Sequence, residues 1–228
     1  MRHKIIAQEE TKKNVKKLIT HLAKTEESNL KDECKLRDKR SHGFYPTDTP
    51  ENILKKFDAV PTYERQLEKG INPYKNGWQE RYYKSLFNVT IDDARRGQIC
   101  MNYLEGLEWT MKYYTSGCPD WQWHYKYNYP PLLEDLVEYV PLLDTILVPH
   151  VPPNPVSPLV QLCYVLPKQS LTLLPEPLYN ALVTTHSDWY NTNCEFVWAF
   201  CRYFWESHVE LPEIDIVELT EFVAKNHK

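Results

Sequence analysis

The sequence predicts a mainly α-helical protein, an irregular multi-helix domain with extended aromatic and Pro-rich loops. Three observations carry this. Apolar and aromatic residues recur at three- and four-residue spacing over much of the 228 positions. Glycine is scarce at 6 and proline plentiful at 17, so helices are expected to stop at prolines and tight turns rather than at glycine-rich loops. A strict period-two alternation runs over 121–129, and no evident partner strand accompanies it, so it reads as an extended loop rather than a sheet.

The elements follow in order. Residues 8–40 read as a helix followed by a charged stretch. Ile5, Val15, Leu18, Ile19 and Leu22 give an apolar stripe, and Lys12, Lys13, Lys16 and Lys17 fill the other face, which reads as solvated. The run "EESNLKDECKLRDKRSHG" is charged enough to be expected poorly ordered. Thr49, Pro50 and Glu51 form a helix start. In "NGWQERYYKSLF", Trp78, Tyr82 and Leu86 lie four apart on one face, and Tyr83 and Phe87 make an adjoining stripe. Such a helix is covered on two sides and reads as a docking helix. Ile99, Tyr103, Leu107, Met111 and Tyr114 then mark one face of a long helix, capped by Asp92 or Asp93 and stopped by Gly117.

Past Gly117, Trp121, Trp123, Tyr125, Tyr127 and Tyr129 alternate with Gln122, His124, Lys126 and Asn128, which puts all five aromatics on one side of an extended segment. Pro130 and Pro131 end it, and "LLEDLVEYVPLL" opens a short helix. Five prolines between 148 and 158 make an extended surface connection. "LVQLCYVLPKQSLTLLPEPLYNALV" reads as two short helices split by Pro167 and Pro175, with Ser170 capping a turn. "EFVWAFCRYFWESHVELPEID" reads as helical, and "LPEIDIVELTEFVAKN" as a last amphipathic helix.

Composition narrows the function. The net charge of −4 divides into +6 over residues 1–97 (21 basic, 15 acidic) and −10 over residues 98–228 (6 basic, 16 acidic). The second half therefore lacks the basic footprint of a nucleic-acid-binding domain. The sequence holds no GxGxxG, GxxxxGK[ST], HExxH, GxSxG or CxxC. Its carboxylates are scattered along helix surfaces, so no catalytic residue and no metal ligand is assigned. No apolar run is long enough to span a membrane, no secretory signal opens the chain, and the six irregularly spaced cysteines read as reduced thiols inside a cell. The aromatic loop leaves two readings open. Its rings pin an extended segment onto a helical core, or one tryptophan stacks on an unpaired base.

Four blocks in order carry a resemblance: "GWQERYYKSLF", "NYLEGLEWTMKYYTSGCPDWQWHYKYNYPPLLEDL", "PLVQLCYVLPKQSLTLLP" and "FWESHVELPEID". Together, over about residues 74–216, they resemble the central helical region of the Xrn family of 5′→3′ exoribonucleases. The resemblance implies a helical, non-catalytic part that packs on an N-terminal nuclease segment, in cis or in trans. That segment would carry the Mg²⁺ ions, and the helical part would narrow the entrance for single-stranded 5′-monophosphorylated RNA. The chain alone is then expected to be inactive. The positions matching the family's S-W-x-W block are Trp121 and Trp123, to which the resemblance gives an RNA-path role without choosing between them. Arg81 and Lys84 become candidate contacts for RNA or a partner. Residues 1–70 read as a charged arm or connecting segment and 71–228 as the Xrn-like helical domain. Asp120 stands where the family has Ser, Lys126 where Pro is common, Asn128 for His and Pro130 for Ala; these departures suggest a viral or protist relative. A stand-alone scaffold module derived from this domain is the alternative function, and an RNA binder using the aromatic loop is the third.

Overall fold

The computed structural model describes residues 2–41, 66–142, 144–152, 155–201 and 203–226. The helix start read at Thr49, Pro50 and Glu51 lies outside them. The described residues form α1 (Arg2–Ser41), α2 (Gln66–Ile71), α3 (Trp78–Leu86), α4 (Asp93–Ser116), α5 (Leu133–Tyr139), α6 (Pro158–Val165), α7 (Glu176–Thr185) and α8 (Ile216–Asn226), with short 3₁₀ turns between them. One antiparallel pair, β1 (Glu195–Val197) and β2 (His208–Glu210), is the sheet found among them. The mainly helical class is as the periodicity predicts.

The chain packs as two units. The first takes in residues 1–152 and 198–207, the second 153–197 and 208–228. The break at Pro152–Pro153 falls inside the Pro-rich connection. This division follows packing, a different criterion from the composition shift that sets a boundary at residue 70.

α1 continues as helix through the charged run expected to be poorly ordered. No Gly or Pro interrupts residues 2–41, and Lys31–Glu27 and Lys35–Asp32 pair at helical spacing. The run is also tethered: Leu30 packs on an aromatic core, Tyr74 Oη donates to the Lys31 carbonyl at 2.8 Å, and Glu26 accepts from Leu133 N at 3.0 Å. The apolar stripe read on α1 is only partly its packed face: Val15 and Ile19 are half-buried, but Ile5, Leu18 and Leu22 are exposed. The half-buried positions are 8, 12, 15, 16, 19, 23, 26, 27, 30, 31 and 34, a helical repeat that mixes Val15, Ile19 and Leu30 with Gln, Lys, Ala and Glu.

In the first unit, Ile71, Trp78, Tyr82, Tyr83, Ile99 and Leu132 build one core, and Cys100, Leu104 and Leu136 a second. α3 buries its predicted faces. α4 is capped by Asp92, whose side chain accepts from Arg95 N at 2.8 Å, and ends at Gly117 with φ +95°, a conformation that costs a β-carbon dearly. The stripe along α4 holds only at its start. Ile99 is buried, but Leu107 is 52%, Met111 65% and Tyr114 81% exposed. The last three turns thus direct Leu107, Met111 and Tyr114 outward.

The second unit has an aliphatic core of Val160, Cys163, Leu171, Leu174, Leu178, Leu182, Leu219 and Val223 with Tyr190. Ser157 caps α6 and Asp215 caps α8. Ser170 lies inside the 3₁₀ turn Lys168–Leu173 that separates α6 from α7, so it does not cap a helix there. The segment read as an aromatic helix instead forms β1 and β2, with Phe196 opposite Val209. An aromatic ring against a β-branched side chain is a favourable cross-strand pair, and strands of three residues are too short to show alternation in the sequence.

Candidate nucleic-acid interface

The aromatic loop is seated on α4 by bonds that begin at its first turn. The Asp120 carboxylate accepts from Gln122 N at 2.8 Å, closing an Asx turn, and its carbonyl accepts from Trp109 Nε1 at 2.8 Å. From there the burial alternates. Trp123, Tyr125, Tyr127 and Tyr129 face inward, and Gln122, His124, Lys126 and Asn128 face out. The expected period of two is present without a strand. Trp121 departs from the expectation: it is 62% exposed, at the centre of the Asx turn.

Trp123 is the inner end of a stack. Its ring lies 6.0 Å from Trp109 at 23°, and Trp109 lies 5.3 Å from Tyr113 at 8°. Gly106 makes room, since a β-carbon there would sit 2.8 Å from the Trp123 ring. Further along, Tyr125 meets Tyr103 edge-on at 5.7 Å and Tyr127 at 5.5 Å, and Tyr127 reaches Phe87 at 5.6 Å. Asn102, buried at 7% exposure, ties the loop to α4: its amide donates to Glu105 Oε2 at 2.9 Å and its carbonyl oxygen accepts from Lys126 N at 2.9 Å.

The tyrosine hydroxyls hold irregular backbone. Tyr125 donates to the Tyr129 carbonyl at 2.7 Å, Tyr129 to Ala199 at 3.1 Å and Tyr82 to Pro130 at 2.9 Å. Tyr83 donates to Asp135 Oδ2 and accepts from Leu132 N at 3.1 Å. Burial pushes the Tyr82, Tyr83 and Tyr125 hydroxyls far above the ordinary phenol range. They stay protonated and act as donors. Arg96 Nε lies 2.8 Å from Asp135 Oδ1, a charge contact whose N–H is not aligned for a hydrogen bond. Burial pushes the neighbouring Cys100 thiol up to about 12, which makes it an inert core group. Among the described residues no group of three or more His, Cys, Asp and Glu could hold a metal ion.

The four residues singled out by sequence separate. Trp123 is stacked within the loop and Trp121 stands in solvent with no ring partner among the described residues. Arg81 donates to the carbonyls of Ile71, Asn76, Asn72 and Lys75 at 2.8–3.1 Å, leaving one of its five N–H groups. It fastens the turn between α2 and α3. Lys84 is exposed. Sequence reasoning missed Trp109 and Tyr113, whose spacing of four on α4 was the available signal for a stack.

These features define an irregular α-helical domain whose extended aromatic loop lies along one long helix. A family model described as the Xrn1 helical domain matches residues 2–228, and the chain belongs to that family. It is 32% identical over 187 residues to 5′-3′ exoribonuclease 2 of Schizosaccharomyces pombe, covering 79% of this chain and 18% of that protein. Similarity to the 5′-3′ exoribonuclease 2 homolog of Caenorhabditis elegans is 28% over 221 residues, 92% of this chain and 22% of the relative. For 5′-3′ exoribonuclease 2 of Arabidopsis thaliana it is 34% over 161 residues, 68% and 15% respectively. The chain thus spans under a quarter of the length of these relatives. They come from a fungus, a nematode and a plant, and give no support to the viral or protist source suggested by the departures.

Proposed function

We propose that this chain is the helical, non-catalytic part of a 5′→3′ exoribonuclease, packing on a nuclease segment and lining the entrance for single-stranded 5′-monophosphorylated RNA. One observation carries the reading. The last three turns of α4 expose Leu107, Met111 and Tyr114, and Trp121 follows them in the chain, so large apolar groups face solvent on a helix whose first half is well packed. Such a face suits a partner surface, with Trp121 as a stacking platform worth about 1–3 kcal/mol per base. Trp123, held against Trp109, anchors the loop that carries Trp121. Mg²⁺ ions would supply water activation and leaving-group stabilisation in the assembled enzyme. The described carboxylates of this chain do not group to hold them, which supports assigning the ions to the nuclease segment.

The test is release of mononucleotides from 5′-phosphorylated RNA in Mg²⁺. The reading expects none from this chain alone, and turnover when an Xrn-type nuclease segment is co-expressed with it. The two should co-purify, and Met111→Glu with Tyr114→Glu should abolish both the co-purification and the turnover. Mononucleotide release by the chain alone, or a nuclease segment that ignores both the chain and the double variant, defeats the reading.

A further inference from the structure

α1 carries a feature that the aromatic loop does not use. Between Glu10 and Glu26 there is no acidic residue, while Lys12, Lys13, Lys16, Lys17 and Lys24 all fall in that window. These five lysines line a groove of about 610 Å³ where α1 runs against α5, with Val137 of α5 also in the lining. His21 and Thr20 lie between them, and Glu9 and Glu138 are the acidic groups of the lining. With His neutral, the lining carries five positive charges against two negative, a balance of +3.

Elsewhere on α1 and α4, the described cations find carboxylates within the chain: Lys31 with Glu27, Lys35 with Asp32, Arg95 with Asp92, Arg96 with Asp135, and Lys112 with Glu108. No carboxylate among the described residues pairs with the five groove lysines. Five ammonium groups at i, i+1, i+4, i+5 and i+12 repel one another, and Glu9 is the one acidic group that α1 itself adds to the lining. From Lys12 to Lys24 the rise is roughly 18 Å at about 1.5 Å per residue. At about 3.4 Å per nucleotide of stacked strand, that length matches roughly five phosphates. A row of flexible point charges in an open groove suits a phosphate backbone, which needs charge at intervals and no fixed bidentate geometry.

We propose that the lysine-lined groove between α1 and α5 binds the phosphate backbone of single-stranded RNA, as a contact separate from the aromatic loop. It rests on the reading that this domain handles RNA, and it adds the part of the chain that supplies charge. It also answers the acidic balance of residues 98–228: the phosphate-binding surface lies on the N-terminal helix, and the loop contributes stacking.

The experiment is fluorescence anisotropy of the whole chain with a labelled single-stranded RNA of about 12 nucleotides, between 50 and 200 mM salt, for three proteins. These are the wild type, the triple variant Lys13→Gln, Lys17→Gln, Lys24→Gln, and Trp121→Ala. The three lysines are exposed, and circular dichroism checks that α1 keeps its helix. The triple variant should bind about 10-fold more weakly at 50 mM salt, and the slope of log K against log salt should shrink by about 2, from about 0.7 per phosphate contact on a single strand. Trp121→Ala should weaken binding with its salt slope unchanged. If the triple variant loses affinity and Trp121→Ala loses none, the groove stands and the loop's role falls. Equal affinity and slope for wild type and triple variant, no measurable RNA binding by the wild type at 50 mM salt, or tighter binding of a Glu-rich peptide than of RNA, each overturns the groove.

Discussion

The two units of the chain solve the same problem with different materials. The second holds α6, α7 and α8 together with Val160, Leu171, Leu178, Leu182 and Leu219, all essentially inaccessible, and one hydroxyl bond from Tyr190 to the Cys163 carbonyl at 2.7 Å. The first holds extended backbone between its helices, and it does so with tyrosines whose rings pack while their hydroxyls donate to Ala199, Tyr129 and Pro130. Aliphatic side chains can bury a helix face but cannot satisfy a loop carbonyl. An aromatic core is the means by which an irregular segment such as 121–131 is held in one place.

Side-chain removal separates the two materials most strongly. Trp78→Ala or Tyr82→Ala should lower unfolding free energy by about 3–5 kcal/mol, and Leu178→Ala by about 2–5 kcal/mol. Urea titration gives both values, and hydrogen exchange should show Tyr82→Ala loosening residues 128–132. A loss under about 1 kcal/mol for Tyr82→Ala contradicts its buried position. Next come the hydroxyls. Tyr83→Phe leaves Leu132 N and Asp135 short of a partner and should cost about 1–3 kcal/mol, whereas Tyr190→Phe strands a single carbonyl and should cost about 1 kcal/mol. Equal costs would remove the distinction drawn here.

Glu26 sharpens the comparison through pH. Burial is the main cause that raises its carboxyl to about 7, with Glu134 and Asp135 adding to the rise and the Leu133 N–H opposing it. A carboxyl raised above its unfolded value gives stability that is complete below about 4.5 and lost as pH climbs through about 7. The wild type should therefore lose about 1–2 kcal/mol, discounted for partial solvent access, between those pH values relative to Glu26→Gln. Parallel stability–pH curves for the two proteins would refute this. The smallest effects concern glycine. Gly106→Ala should cost about 1–2 kcal/mol because the new methyl meets the Trp123 ring. Gly70→Ala meets nothing and should stabilise α2 by about 0.5–1 kcal/mol. Thermal melts that rank these two in the opposite order would mean that Trp123 does not press on α4.

Much of the first unit was legible in advance because its signals are local. Spacing of four placed Trp78 and Tyr82 on one face, Asp92 and Gly117 bounded α4, and a period of two sorted the aromatic loop. The failures share a cause: burial set by a neighbour cannot be read from one helix. α1 packs through Lys12, Val15, Ile19, Ala23, Glu26 and Leu30, since a long stem or a carboxylate aimed at α5 serves there as well as a leucine. The outer half of α4 looks like core because Leu107, Met111 and Tyr114 keep helical spacing although they are exposed. β1 and β2, three residues each, pair across ten intervening positions and leave no periodic trace.

Of the candidate site, the loop and both tryptophans were readable, but their division of labour was not, because it depends on where the Asx turn at Asp120 releases Trp121. The central claim is that division, with Trp123 as scaffold and Trp121 as the surface offered to RNA. It is tested by measuring stability and single-stranded RNA affinity together for Trp121→Ala and Trp123→Ala. Trp121→Ala should leave unfolding free energy within about 0.5 kcal/mol of wild type and weaken RNA binding at least about 5-fold, while Trp123→Ala should cost about 3 kcal/mol or more. A Trp121→Ala protein that binds RNA as tightly as wild type, or that is destabilised as much as Trp123→Ala, contradicts the account.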